Sequence, residues 1–444
     1  MKPPESRKAE LAPNATGGEK SHAETAESAE FKMTELGPIP VDWEVKRLGE
    51  IWSSFKTGPF GSSLHAQDYV ENGTPLINPM HIQDGKIEPS PDMTVDDATK
   101  QRLSAYKLSQ DDIIIGRRGE MGRAALVGKK EIGWLCGTGC FFLHLDESCC
   151  PNYIALYLRT PASVVALEGE AVGTTLVNLN RKILGDLKLP LPPLAEQRRI
   201  AGALSDIDEL ISALGKLIEK KRNIKTGAMQ ELLGMRNEEC GMRNVPRRRL
   251  AGFSGAWVEM RLGEIASFET ATIGVDKIDG EWYIGTENML AEKAGVEKNL
   301  TPVPYVTVKE YKVGDVLISN IRPYLKKIWL ADRDGGCSTD VLVVRTIDNR
   351  ICTPMFLKML LSDDSFFDFT MANAVGTKMP RGDKKVIVNY QVHLPTLAEQ
   401  KAIAAVLSDM DAEIAALEAD RAKYESIKQG MMQELLTGKT RLKP

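Results

Sequence analysis

Apolar positions step by four and three through two long stretches of the chain. In residues 191–233 the series runs through Ile200, Leu204, Ile207, Ile211, Leu214 and Ile218, and in 394–436 through Ile403, Leu407, Met410, Ile414 and Leu417. This is a heptad seam, about 3.5 residues per turn, and it predicts two long helices that each need a partner. Pro190, Pro192 and Pro193 stop whatever precedes the first helix, while Thr396 with Glu399 three positions later predicts a capping box for the second. Gly234 and Gly438 are the expected stops. About 40 residues at ~1.5 Å each give rods of roughly 60 Å. Aligned at a constant offset of 203 with no gap, the two stretches share 24 of 43 residues, so the chain carries an internal duplication. The economical arrangement packs the two seams on each other; the alternative is two unrelated amphipathic helices lying on two separate cores.

Between the helices the pattern shortens to strands and turns. WEVKRLGEI opens one globular segment at Trp43 and WVEMRLGEI opens another at Trp257, so the repeated unit is a domain followed by a helix. In the first domain GPFGSS (58–63) predicts a Gly-rich turn and TPLINPMHI a strand. DDIIIGRRGEMGRAALVG predicts a hairpin, CFFLHL a buried strand, and residues 152–159 a helix, in a mixed α/β domain with few helices. The second domain repeats the plan. GDVLIS (314–319) falls 203 positions after residues 111–116, and AVGT (374–377) falls 203 after AVGT (171–174). The expected boundaries are a polar, unstructured tail at 1–37, domains at 38–190 and 257–393, helices at 191–236 and 394–437, a linker at 237–256 and a tail at 438–444.

Length and composition add bounds. A chain of 444 residues with 43% hydrophobic and 27% charged residues fits two or three ordinary domains. A formal charge of −4 argues against wholesale non-specific binding to nucleic acid but leaves room for local basic patches. No apolar run approaches the ~20 residues of a membrane span, no apolar signal core opens the chain, and a cytoplasmic location is expected. Seven cysteines lack paired CxxC spacing. Cys136 and Cys140 with His144 could suggest a metal, but a strand continuing through Phe141, Phe142 and Leu143 favours buried thiols.

Candidate chemistry gathers in basic loops. Arg117, Arg118 and Arg123 are interleaved with Gly116, Gly119 and Gly122 between two apolar strands, and arginine can pair bidentately with guanine or phosphate. SNIRPYLKK places Asn320, Arg322, Tyr324, Lys326 and Lys327 at the corresponding strand exit of the second domain. One such cluster is more often a solvated loop; two at equivalent positions of a duplicated domain favour binding. A second pair follows AVGT, with Asn178, Asn180, Arg181 and Lys182 in one domain and Lys378, Arg381, Lys384 and Lys385 in the other. No Walker, dinucleotide-binding, HExxH or amino-methyltransferase motif occurs, and no acidic pair followed by ExK suggests a nuclease centre, so neither catalytic residues nor a metal site are expected.

The segments LPLPPLAEQRRIAGALSDIDELI and LPTLAEQKAIAAVLSDMDAEI, the openings DWEVKRLGE and FSGAWVEMRLGE, GTTLVNLNRKILGDLKLPLPP and ISNIRPYLKKIW together resemble the specificity subunit of type I restriction-modification systems, the HsdS family, from about residue 38 onward. The resemblance implies an α+β fold: two mixed α/β target recognition domains separated by two long antiparallel helices in a coiled coil, duplicated about a pseudo-twofold. It implies a non-catalytic subunit that binds double-stranded DNA, each domain reading half of a split site and the coil setting the spacer. Two modification subunits, which hold S-adenosylmethionine and methylate adenine, and restriction subunits, which use ATP and magnesium, are the implied partners; this chain needs no cofactor. Because PxLAEQ and MQELL are shared most fully by both copies, the surface around Glu196 and Gln197 and around Glu399 and Gln400 is the expected docking site for the modification subunits. Two other classes stay open: a coiled-coil scaffold without DNA binding, which leaves the paired basic loops unexplained, and a single-chain nuclease or methyltransferase, which needs a motif this sequence lacks.

Overall fold

A computed structural model describes residues 30–60, 63–170, 178–235 and 245–442. The chain divides into two compact units, Met1–Asp208 with Ser426–Pro444, and Glu209–Glu425. Each long helix contributes residues to both.

The first unit is built on a four-stranded antiparallel sheet in the order Ala124–Leu126, Ile113–Gly116, Cys140–Leu145, Trp52–Thr57. Ile113–Gly116 is buried at every position because both faces of the sheet are covered. Ile113 and Ile115 join a core with Trp43, Leu143 and Tyr153, while Ile114 faces a second core with Phe142 and Ala125. The expected hairpin and the buried strand are thus present, and the expected helix forms as Pro151–Leu158, started by a proline whose missing N–H costs nothing in a first turn. TPLINPMHI is not one strand. Thr74–Ile77 ends at Pro79, which starts the single turn Pro79–His81 before the short strand Ile82–Gln83. Helices are also more numerous than expected, with Asp97–Arg102, Pro161–Glu170 and Arg181–Asp186 added. The strand Glu44–Arg47 pairs with Lys188–Leu191, so the entry and exit of the domain lie side by side and the chain passes straight into the long helix Leu194–Leu233.

The second unit repeats this plan with Ala266–Phe268, Val341–Thr346, Val316–Ser319 and Ile328–Leu330 in one sheet. Val258–Arg261 pairs with Gln391–Leu394 as the equivalent entry and exit ribbon, leading into the helix Leu397–Leu435. The helix after the sheet, Pro354–Leu361, again opens on proline and is capped by Thr353, whose hydroxyl accepts from Phe356 N at 3.2 Å.

The seam is divided between two jobs, helix pairing and the domain cores. In the first unit Ile200 and Leu204 are core residues, packed with Leu435 and Leu436 at the end of the other long helix. In the second unit Ile403 and Leu407 lie in the core with Leu232 and Leu233. PxLAEQ starts and MQELL ends therefore meet inside each domain core. Between them the apolar contact thins: Ile218 and Ile414 are buried, whereas Ile211, Leu214 and Leu417 are half-buried. Within the second unit the helices run antiparallel, with Arg222–Glu418 at 2.5 Å, Lys221–Glu413 at 2.6 Å and a Lys225–Asp411 pair; in the first unit Lys428 pairs with Asp208 at 2.5 Å. Most of these are exposed pairs, each contributing about 0–1 kcal/mol.

The ends also differ from expectation. Residues expected to form an unstructured tail up to 37 include the antiparallel hairpin Phe31–Thr34 and Gly37–Pro40, while residues 1–29 lie outside the described residues. Only half of the capping box forms. Thr396 Oγ1 accepts from Glu399 N at 3.4 Å, but the Glu399 carboxylate is taken by Arg249. Gly234 follows Leu233 directly, and Gly438, at φ +73°, lies just beyond Leu435. Part of the Gly-rich turn (61–62), the first AVGT (171–174) and the first part of the linker (237–244) lie outside the described residues. Among those described, no helix is long and apolar enough to cross a membrane.

Candidate nucleic-acid interface

In the first unit the hairpin tip turns on Gly119 (φ +83°) and Gly122 (φ +81°), a left-handed backbone that glycine adopts without steric cost. The structure brings this tip to the second basic loop, since Arg118 and Asn178 form an isolated bridge and Leu179 N donates to Arg117 O at 2.9 Å. Arg117 is half-buried, its Nε donating to Asn178 Oδ1 at 3.3 Å and its guanidinium lying 5.3 Å from the Phe141 ring centre. Burial, followed by the like charge of Arg118, pushes the pKa of Arg117 down. Arg118 is exposed, and so are Arg181 and Lys182. Arg181 lies over Trp52 and Phe55, 5.8 and 5.4 Å from the ring centres.

Two of the predicted residues in this unit have structural partners. Arg123 is held by Glu120 at 3.0 Å and donates to Pro79 O at 3.0 Å, bracing the hairpin against the preceding turn. Asn180 caps Arg181–Asp186, its side chain accepting from Ile183 N at 2.9 Å.

The second unit has the same construction with different side chains. Ile321 bridges Arg381, and Arg322 N donates to Pro380 O at 3.0 Å, so the strand exit again meets the loop that follows AVGT. Arg322 and Lys378 are exposed, and Arg381 pairs with Asp340 at 3.0 Å while more than half its side chain stays open to solvent. Lys384 lies 5.9 Å from the Phe268 ring centre, as Arg181 lies on Phe55. Asn320, Lys326 and Lys327 are half-buried. Asn320 Oδ1 is buried beside Gly382 without a hydrogen bond, Lys326 pairs with Asp364 at 3.0 Å, and Lys327 Nζ donates to Thr286 O at 2.7 Å. The ion pair with Asp364 pushes the pKa of Lys326 up.

The predicted docking residues are internal. Glu196, Gln197, Glu399 and Gln400 are 3%, 1%, 1% and 0% exposed. Gln197 accepts from Cys150 N at 2.8 Å, satisfying the start of Pro151–Leu158, and donates to Pro192 O at 2.8 Å. Gln400 does the same for Thr353 N at 3.1 Å and for Ile351 O and Pro395 O. Glu196 accepts from Trp43 Nε1 at 3.1 Å and receives Arg441 in a two-point pair at 2.7 Å for each contact; Glu399 receives Arg249 at 2.8 and 2.7 Å. Their repetition in both copies reflects a repeated internal anchor, so these side chains are withdrawn as a docking surface. Arg249 and Arg441 were not predicted. An Arg-Leu pair lies downstream of each MQELL, and Leu442 packs on the first core and Leu250 on the second.

Among the described residues no group of three or more His, Cys, Asp or Glu could hold a metal ion. Cys136 and Cys140 are buried thiols whose pKa burial pushes up, and His144 turns outward to pair with Asp112 at 2.9 Å.

Two copies of one α/β domain, each presenting a cationic strand exit next to a cationic loop and each anchored on a long helix, define a duplicated recognition subunit. Residues 40–223 and 255–429 match the family described as type I restriction modification DNA specificity domain, and the chain belongs to that family. It is a type I restriction-modification specificity subunit by that membership and by its relatives. The type I restriction enzyme MjaVIII specificity subunit of Methanocaldococcus jannaschii is 26% identical over 425 residues, 91% of this chain and 94% of that one. A type I restriction-modification S subunit from M. genitalium has the same fold, with a TM-score of 0.55 at 17% identity over 88% of this chain and 96% of that one. A second solved chain, from work on assembly and conformational transition of the type I R-M system, has a TM-score of 0.53 at 17% identity and covers 90% of this chain and 99% of that one.

Proposed function

We propose that this specificity subunit reads a two-part double-stranded DNA site, one part per domain, through the exposed cations at the paired loops. One observation carries the reading. Both units join the strand exit to the following loop by the same bridge, Arg118 to Asn178 and Ile321 to Arg381, yet display different side chains there. A shared scaffold with a varied surface suits two different half-sites. Arg118, Arg181 and Lys182 serve one half, and Arg322, Lys378 and Arg381 the other; phosphate contacts position each domain and base-edge contacts specify it.

Methylation of adenine with S-adenosylmethionine and cleavage with ATP and magnesium belong, in this proposal, to modification and restriction subunits that dock on the chain. Leu210, Leu217 and Ile224 support a helical partner: they are exposed, lie seven residues apart on Leu194–Leu233, and form an apolar stripe distinct from the seam. Native mass spectrometry of the reconstituted complex should give two modification subunits per chain, and that complex should shift a DNA duplex carrying its site in a salt-dependent manner. A complex that forms but binds all duplexes alike would support the scaffold reading instead.

A further inference from the structure

The second unit gathers backbone strain around one exposed aromatic. Among the described residues seven non-glycine positions have positive φ, and four of them, Glu292, Lys293, Arg322 and Lys326, meet in one place. Arg322 (φ +56°) and Lys326 (φ +50°) flank the single turn Pro323–Leu325 between the strands Val316–Ser319 and Ile328–Leu330. A left-handed backbone is costly for any residue with a Cβ and persists only where neighbours over-determine it. They do so here from three sides. Arg322 N donates to Pro380 O at 3.0 Å, Glu292 N to Leu325 O at 3.0 Å, and Lys293 N to Lys326 O at 2.9 Å. Asp364 then takes the ammonium groups of Lys293 at 2.6 Å and Lys326 at 3.0 Å.

What this rigid turn holds out is Tyr324, 51% exposed and making no hydrogen bond to the described residues. Arg322, Lys378 and Arg381 lie in the same pair of bridged loops. The equivalent hairpin of the first unit uses Gly119 and Gly122 at its left-handed positions and displays no aromatic. The strained residues here therefore do more than make a turn, since glycine would make it with less strain. They fix the backbone from which the ring projects, in the same pair of loops as exposed cations, so the ring can meet a base edge while the cations meet phosphates.

We infer that Tyr324 is a specificity-determining residue of the second half-site, its ring resting on the 5-methyl group of a thymine in the major groove, and that Asp364 is the positioning residue that holds its turn. The inference rests on the reading of this chain as a two-part DNA reader. The experiment measures binding of the complete complex to duplexes in which each thymine of the site is replaced in turn by deoxyuridine, which removes only the methyl group. One replacement, confined to the second half-site, should weaken the wild type roughly five- to tenfold and change Tyr324→Ala less than about twofold; Tyr324→Phe, which keeps the ring, should stay sensitive. Asp364→Asn should blunt the same sensitivity and Asp364→Glu restore part of it, while preferences in the first half-site stay unchanged and so report an intact fold. A Tyr324→Ala complex that keeps its two-part preference and the wild-type response to every replacement overturns the inference alone. A wild-type complex with no sequence preference at all overturns the underlying reading as well.

Discussion

Arg441→Ala should unlock the first unit. Arg441 joins Glu196 through two contacts at 2.7 Å, joins Asp42 through contacts at 2.8 and 2.7 Å, and lies 5.6 Å from the centre of the Trp43 ring. The ion pairs hold its pKa above the ordinary value, so its charge is present at every working pH. The Asp42 arm is half exposed and contributes at most about 1 kcal/mol. The Glu196 arm decides the effect, because the carboxylate is 3% exposed and, among the described residues, keeps only the Trp43 indole N–H once the guanidinium is gone. Leaving such a charge buried without its partner costs about 3–5 kcal/mol. In a unit of this size that corresponds to a fall in melting temperature of roughly 6–20 °C. Calorimetry would measure the fall, and hydrogen exchange should localise it to the start of Leu194–Leu233. Adding Glu196→Gln, which removes the stranded charge but keeps an acceptor for Trp43, should recover at least half of the loss. A single variant that loses less than about 1 kcal/mol would refute the anchoring argument.

Three other outcomes follow from the same geometry. Gln197→Ala and Gln400→Ala strand a helix-start N–H each and should destabilise by about 1–3 kcal/mol in urea titrations, leaving the ratio of modification subunits to folded chain unchanged; loss of one subunit from a stable chain would revive those side chains as docking residues. His81 is buried, its Nδ1 accepts from Asn78 N at 3.1 Å, and burial lowers its pKa from the ordinary 6.5. The unfolded chain therefore takes up the proton first, so stability should decline as pH falls below about 6.5 and level off once the folded histidine also protonates, a slope that His81→Leu should flatten in thermal melts across that range. Inserting four residues near Lys216 and four near Ala419 adds about 6 Å of rise and about 40° beyond a full turn, against about 3.4 Å and 35° for one base pair; methylation mapping should show both half-sites unchanged and the spacer one pair longer, and an unchanged spacer with active methylation would end the idea that the coil is a ruler.

The helices and the central sheets were legible because periodicity and an unbroken Ile run leave few alternatives. What the seam would bury was not: Ile200 and Ile403 fit a heptad and a domain core equally well, and only the arrival of Leu435 or Leu233 beside them decides. Repetition exposed the importance of PxLAEQ but misled about its use, since an internal anchor and a docking surface would both be duplicated. The basic loops show the same limit. Spacing alone cannot separate Arg118, which is exposed, from Arg123, which the carbonyl of Pro79 captures from 44 positions away. Asn180 carries two signals at once, since an Asn immediately before a short helical run is an N-cap as well as a base-reading side chain.

The division of labour between the domains is tested most directly by mapping methylated adenines across the genome of cells carrying the complete system with Arg118→Ala or Arg322→Ala in this chain. Each substitution should relax base preference, by about 1–3 kcal/mol per lost contact, in one half of the site only, and the two should relax opposite halves while the spacer stays fixed. Relaxation of both halves by either substitution, in a complex that still methylates, would contradict one half-site per domain.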